Sequence, residues 1–467
     1  MERQFESLTM GEYGGTGPAE STDRPGAAST SLLGRQSRSG EARGPSETMA
    51  SVGHTQARVR DVRGVKVLLH DYAGHPFPVG LSHELARRGH SVTHCYDANV
   101  VTPHGDLSVG PDDPHGLSIV SLTSGAQLEK HALIKRWRQE RAYGRVLARF
   151  ILDQAPDVVL SANTPLGSQA YAISASRSVG ARFVFWVQDL YGIGIDRAVR
   201  ARIPLAGGMI GRHFLRTEQR LLAASDAVVA ISDDFSDFIR KAGVSPPNLT
   251  VIENWGPIAD FDAADRQSSW KDLYGLAGKF LFLYSGTLGL KHNPELVAAV
   301  ARAFASDPDV AVVVASEGVG ADWLRGLALP NLHVLGFQPY GQLPSMLRSA
   351  DVLLAVLEPE ASVFSVPSKV LTYMCAGRPV LAAIPSENLA ARLITRAGAG
   401  VVVQPSRSEA FVASARALFV NPELRQSQGQ AGRRHAERHF RIEEIANRFE
   451  EVLLAPPSRF ELAREAA

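Results

Sequence analysis

From residue 65 onward, short uninterrupted apolar runs alternate with segments whose apolar positions recur at helical spacing. Val65-Lys66-Val67-Leu68-Leu69-His70 is the first run. It leads through Asp71-Tyr72-Ala73-Gly74-His75-Pro76 into a segment where Leu81 and Leu85 share a helical face and Gly89 stands where a C-cap belongs. Val92-Thr93-His94-Cys95-Tyr96 follows as the next strand. Further strands are expected at 157–160, 182–187 and 227–231, with helices over 167–179, 210–224 and 233–241. Strands apolar along their whole length belong to a parallel sheet covered on both faces.

The pattern breaks at Glu253-Asn254-Trp255-Gly256-Pro257 and stays polar for some twenty residues. A second series opens with Phe280-Leu281-Phe282-Leu283-Tyr284, and its strands are expected at 310–315, 332–337, 352–357, 380–384 and 401–403. Helices fall near 293–305, 341–349, 367–376, 388–397 and 407–419. Residues 422–455 read as helical, with a turn at Phe440-Arg441. The fold class is therefore α/β. A tail over 1–62 precedes a Rossmann-like domain over 63–255, a linker over 256–278 and a second doubly wound domain over 279–435, with helices and a tail over 436–467. Two such sheets in tandem place their strand carboxyl ends across a shared crevice, where ligands of open α/β sheets bind.

Composition narrows the function classes. The first sixty residues are rich in Gly, Ser, Arg, Thr and Pro and nearly free of apolar clusters, so a disordered tail is expected, and Met49 would serve as an alternative start. A formal net charge of +1 gives no global argument for nucleic acid. Cys95 and Cys375 lie far apart without metal-ligand spacing, which suits a reducing compartment. No apolar stretch has spanning length and no signal-peptide pattern is found, so a cytoplasmic protein is expected. One segment qualifies that reading. Between 127 and 151, Leu133, Trp137, Leu147 and Ile151 fall on one helical face, and Arg138, Arg141, Arg145 and Arg149 on another. Such a helix either covers a sheet with a solvated basic side or rests on an anionic membrane at the inner face.

The chemistry concentrates where the second series begins. A strand delivers Gly286-Thr287-Leu288-Gly289-Leu290-Lys291 into a helix start at Asn293-Pro294-Glu295. Asn caps, Pro fits the first helical position, glycine lets a ligand approach the backbone, and the free N–H groups favour an anion. Lys291 adds a charge at the mouth, unless it is an ordinary solvated loop lysine.

With Gly74-His75-Pro76, Trp186-Val187-Gln188-Asp189-Leu190, Ile252-Glu253-Asn254-Trp255 and the Gly286–Lys291 turn on the page, the chain resembles the family 4 glycosyltransferases of GT-B fold. Val366-Pro367-Ser368-Lys369-Val370-Leu371-Thr372-Tyr373-Met374-Cys375-Ala376-Gly377-Arg378-Pro379-Val380 completes the set. It looks most like the bacterial subgroup that adds fucose-type or N-acetylated amino sugars in polysaccharide assembly. The resemblance implies transfer of a sugar from a nucleotide diphosphate donor, UDP- or GDP-linked, to a saccharide acceptor on a lipid carrier. Retention of anomeric configuration is implied, with no metal and no cofactor beyond the co-substrate. One departure stands out. The family's two glutamates, eight positions apart, fall on Phe364 and Thr372 here.

On this reading Lys291, Asp189 and His75 are the catalytic candidates, Asp189 as acceptor-side carboxylate and His75 as a phosphate or acceptor contact. Gly74, Gly286, Thr287, Gly289, Glu317, Phe337, Pro367, Ser368, Lys369 and Thr372 are the donor-binding candidates. Each has a plainer reading: His75 as an exposed loop histidine, Asp189 and Glu317 as helix caps, Lys369 as a solvated first-turn lysine. Two other functions stay open, a sugar-nucleotide binder without catalysis and a nucleotide-sugar epimerase.

Overall fold

The computed structural model describes residues 64–100, 104–125, 133–203, 206–241, 249–263, 270–289, 292–359 and 366–455, all in one compact unit. The tail at 1–62, the catalytic candidate Lys291, and Phe364 at one implied glutamate position lie outside the described residues.

Seven strands form the first sheet: β1 (Lys66–Asp71), β2 (Ser91–Asp97), β3 (Leu117–Leu122), β4 (Val158–Ala162), β5 (Arg182–Val187), β6 (Ala227–Ala230) and β7 (Leu249–Val251). Their order is β3-β2-β1-β4-β5-β6-β7, and every pairing is parallel. Six strands form the second: β8 (Phe280–Ser285), β9 (Val310–Ala315), β10 (Leu332–Leu335), β11 (Val352–Val356), β12 (Val380–Ala383) and β13 (Gly400–Val403). Their order is β10-β9-β8-β11-β12-β13, again all parallel. In both sheets the strand order reverses beside the first strand, so β1 and β4 in one lobe and β8 and β11 in the other flank the points where a crevice opens.

Local chemistry accounts for the helix starts nearest those crevices. Helix α1 (Pro76–Arg87) begins on a proline, as does Pro294–Ala303, where the Asn293 side chain accepts the Glu295 N–H at 3.1 Å. Helix Lys369–Ala376 ends on Gly377 in the left-handed region (φ +68°), which lets the chain turn at once into β12.

Several elements were not read from the sequence, among them two edge strands and a helix of the first lobe. Edge strand β3 is buried only at its two ends, and β7 has three residues, all half-buried. A helix (Tyr191–Arg202) contains Gly192 and Gly194, which dilute its helical pattern. The helix Leu133–Gln154 confirms a basic helical segment but not its expected apolar face. Leu147 and Ile151 are fully buried whereas Trp137 is 42% exposed, its ring lying 4.6 Å beneath the Arg141 guanidinium. The stripe is therefore narrower than the spacing suggested, and the tryptophan belongs to the basic side.

The last described helix crosses back to the first lobe. Helix Ile442–Leu453 packs on α1 and β5 of the first lobe. Phe449 meets Trp186 edge-on at 4.8 Å, and Trp186 stacks on Trp255 at 5.7 Å and 10°. Phe77 at the start of α1 meets both tryptophans edge-to-face. Aromatic pairs of this kind add about 0.5–1.5 kcal/mol each beyond their buried area. Arg88 closes the seam from outside, donating to Glu450 Oε2 and Asn447 Oδ1 at 2.6 Å each. His90 takes the Val65 N–H on Nδ1, which leaves Nε2–H to donate to Glu450 at 2.9 Å.

Candidate active site

A cavity of about 520 Å³ opens between the carboxyl ends of the two sheets. From the first lobe it takes residues that follow β1, β4 and β5, and from the second those that follow β8 and those of Pro367–Tyr373.

On the first side the organising group is Asp71, the last residue of β1 and fully buried. Its carboxylate accepts the His75 backbone N–H and the Asn163 side-chain N–H, the latter at 2.7 Å. The His75 ring lies 3.4 Å from the same carboxylate and 3.3 Å from Asn163 Nδ2, and it stacks on Phe77. Burial alone would push the Asp71 carboxyl up, yet His75, Asn163 and His94 hold it down at about 2. Asp71 is therefore a fixed anion that orients His75 at the cavity wall. Gly74 supplies the turn (φ +67°), and a Cβ there would stand 2.9 Å from His104 Nδ1. His104 donates to the Ala73 carbonyl at 3.0 Å and itself lines the cavity.

Asp189, half-buried after β5, also faces the cavity. The residue before it, Gln188, exchanges two hydrogen bonds with Asn254 (2.6 and 3.2 Å), which ties the end of β5 to the interlobe crossing.

On the second side the turn after β8 is held by two tyrosines. Tyr373 Oη accepts the Ser285 N–H at 2.9 Å and donates to the Ser285 carbonyl at 3.1 Å. Tyr284 Oη donates to the Thr287 carbonyl at 2.7 Å. Between them Gly286 takes φ +101°, which disfavours any other residue. The Lys369 ammonium sits 3.8 Å from the centre of the Tyr284 ring, donates to Tyr284 Oη, and reaches the Thr287 carbonyl at 3.4 Å. A Cβ on Gly286 would lie 3.6 Å from that nitrogen, so the glycine turn and the ammonium share one corner of the cavity. His292 lines the cavity beside them, its Nδ1 accepting the Gly289 N–H at 3.2 Å.

Residues 77–255 match the family described as Glycosyl transferase 4-like domain, and residues 269–435 match Glycosyl transferases group 1. The chain is a GT-B glycosyltransferase of the family 4 type. Among its relatives is WcaI of Escherichia coli (strain K12), named as a colanic acid biosynthesis glycosyl transferase. It is 27% identical over 68% of this chain and 74% of WcaI. A second, the glycosyltransferase WbjE of Pseudomonas aeruginosa, is 23% identical over 52% of this chain and 61% of its own length. In fold the chain is similar to Anabaena HepE, solved in complex with UDP. The TM-score is 0.59 at 16% identity, over 84% of this chain and all of that one. Sucrose-phosphate synthase of Thermosynechococcus elongatus gives a TM-score of 0.62 at 14% identity, over 83% of this chain and 97% of that one.

The glycosyltransferase cavity gathers most of the residues singled out from sequence. His75, Asp189, Gly286, Thr287, Phe337, Pro367, Ser368, Lys369 and Thr372 all line it. Three others stand back. Gly74 and Gly289 shape turns behind the wall, and Glu317 lies near Gly336, its Oε1 3.5 Å from where a Cβ on that glycine would be. Glu317 is also not the cap of the next helix, since Gly318 occupies that position. Asp71, Asn163, His104, Tyr284 and His292 were not read from sequence as site residues. Asp71 alone carried a signal, an acid closing an otherwise buried apolar strand.

One buried acid of the glycosyltransferase sits behind this wall. Glu218 Oε2 accepts the Gly192 N–H at 3.1 Å in the first turn after Asp189, while Oε1 has no hydrogen-bond partner among the described residues. Burial pushes Glu218 up to about 7 against the pull of the Gly192 and Tyr191 amides, and the Asp189 charge adds to the rise. With its folded pKa above the usual 4.5, the folded state takes up more protons than the unfolded one between those values. Stability therefore falls as pH rises through that window. Glu218→Gln is expected to remove this slope and to melt a few degrees higher than the wild type above pH ~7. Thermal melts across pH ~4–8 check it, and a wild-type curve that is flat over that range would contradict the assignment.

Proposed function

We propose that the protein moves a hexosyl unit, a deoxy or N-acetylamino sugar, from a UDP- or GDP-linked donor to a saccharide on a lipid carrier, with retention of configuration. The observation that carries this reading is the corner where the Lys369 ammonium overlies the Gly286–Thr287 turn, across one cavity from His75 and Asp189. As the glycosidic bond breaks, negative charge appears on the departing diphosphate. Fixed donors placed where charge develops are the principal catalytic term for such a step. In this reading Lys369, with the amides of the glycine turn, holds the diphosphate. The departing phosphate oxygen takes the acceptor proton on the same face of the sugar, so no covalent enzyme intermediate is formed. His75 and Asp189 contact the acceptor side, and Phe337 and Thr372 contact the nucleoside, with Thr372 offering a hydroxyl where relatives place a carboxylate.

HepE, solved with UDP and with UDP-glucose, and WcaI, named for colanic acid biosynthesis, support the donor class and the setting in cell-surface polysaccharide assembly. A peripheral seat on an anionic membrane is consistent with exposed Trp137 and Arg138, Arg145 and Arg149 along one helix, and no described helix is long and apolar enough to cross a membrane.

The test is incubation of the purified chain with a panel of UDP- and GDP-sugars and lipid-linked saccharides, with the product anomer read by NMR. Transfer with retention is the expected result. Binding of the donors without transfer or hydrolysis would replace this reading with a sugar-nucleotide binder, and an isomerised donor would replace it with an epimerase.

A further inference from the structure

We propose that Tyr284 is a positioning residue of the transfer reaction, acting through Lys369. This inference rests on the donor-site reading above. Tyr284 is fully buried and does not line the cavity, so it has no means of touching the donor itself. It nonetheless contacts three groups that do. Its hydroxyl accepts a hydrogen bond from the Lys369 ammonium and donates to the Thr287 carbonyl at 2.7 Å. Its ring lies 3.8 Å beneath the same ammonium, and its edge meets the His292 ring at 6.4 Å and 73°.

The hydrogen-bond count explains why a tyrosine stands here. A phenol has one O–H to give and lone pairs to accept with. The O–H is committed to Thr287, which leaves oxygen lone pairs facing the ammonium. The ring face below adds the attraction of a cation for a π system. A lysine has a flexible four-carbon stem and three rotatable donors, so it fixes no direction of its own. Tyr284 supplies that direction and at the same time sets the carbonyl geometry of the glycine turn, so one side chain registers the mobile charge against the fixed amides. Catalysis of this kind depends on donors that are already aimed before charge develops.

A double-mutant cycle tests the proposal in the full chain. Donor binding is measured calorimetrically with UDP and with GDP, and kcat and KM are measured with the donor found active in the panel. Tyr284→Phe keeps the ring and removes the hydroxyl. It is expected to lower kcat about tenfold while donor KM stays within about twofold, because the loss falls on the transition state. In a Lys369→Ala background the same change is expected to cost only about two- to threefold, since the ammonium it positions is gone and only its hold on the Thr287 carbonyl remains. An equal cost in both backgrounds, including one that arises through a folding loss, would overturn the proposal, as would no cost in either. If neither nucleotide binds the wild-type chain, the donor-site reading fails and this inference with it. If a nucleotide binds and the cycle is additive, only this inference fails.

Discussion

Lys369→Ala is expected to slow sugar transfer by about 10²–10³-fold, the scale seen when one preorganised charge-stabilising donor is removed from an active site. The reasoning is local. Lys369 begins a helix whose first residues already line the cavity, and its ammonium is held over Tyr284 within reach of the Thr287 carbonyl. Its charge is thus aimed at the turn where a departing diphosphate would lie. The expected signature is a fall in kcat larger than any rise in donor KM, because the interaction strengthens as charge develops. The melting temperature should change little, since the ammonium stands on a cavity surface and its removal leaves no buried charge without a partner. Steady-state kinetics over a range of donor concentrations would show this. A variant within about threefold of the wild type in kcat/KM would place Lys369 outside the chemistry.

The second large effect is expected on the opposite lobe. Asp71→Ala removes the acceptor for two N–H groups, the backbone of His75 and the side chain of Asn163. Leaving such groups buried and unpaired costs about 1–3 kcal/mol each, so a loss of about 2–5 kcal/mol in stability is expected. Transfer should fall by about 10²-fold as well, because His75 loses the anchor that fixes its ring. Asp71→Asn separates the two effects, since it preserves shape while removing the charge. The pH dependence has a definite sign. The folded-state pKa is held at about 2, below the usual 3.8, so Asp71 contributes stability that is present above 3.8 and lost as pH falls through about 2. Wild-type melts should drop across that acid window more steeply than those of Asp71→Asn. Parallel curves for the two would show that the carboxylate is not preferentially charged in the fold.

The alternation of apolar runs and helical spacing carried the architecture because strands buried on both faces are nearly or wholly apolar, as β6, β9 and β11 are. The same logic explains what it missed. Edge strands β3 and β7 face water along part of their length and lose the continuous signature. Helix Tyr191–Arg202 carries two glycines, and one of them is required by packing. A Cβ on Gly192 would approach Glu218 Oε2 to 2.6 Å, a contact 26 positions away in the chain.

For the site, glycine and proline punctuation gave the loops, and the loops brought most candidate residues with them. What sequence does not express is which side chain pairs across long intervals. Asp71 reaches Asn163, Tyr284 reaches Lys369, and His104 reaches Ala73, each through a fold-level contact with no local spacing rule. Tyr284 illustrates the difficulty best. In the sequence it is one more apolar residue at the end of a strand, and only the placement of Lys369 turns its hydroxyl into a site contact. That Phe364 and Thr372 stand where the family resemblance implies paired glutamates was legible once that pattern was set against the chain. The cavity adds that Thr372 does line the wall at that place.

The central claim is that a nucleotide diphosphate binds between the lobes with its phosphates on the Gly286–Thr287 turn and Lys369. A crystal structure of the chain with UDP or GDP tests it most directly. The account predicts diphosphate oxygens about 3 Å from Lys369 Nζ and from the turn amides, with the nucleoside toward Phe337 and Thr372. A nucleotide bound elsewhere, or in this cavity with its phosphates turned away from Lys369, would contradict it.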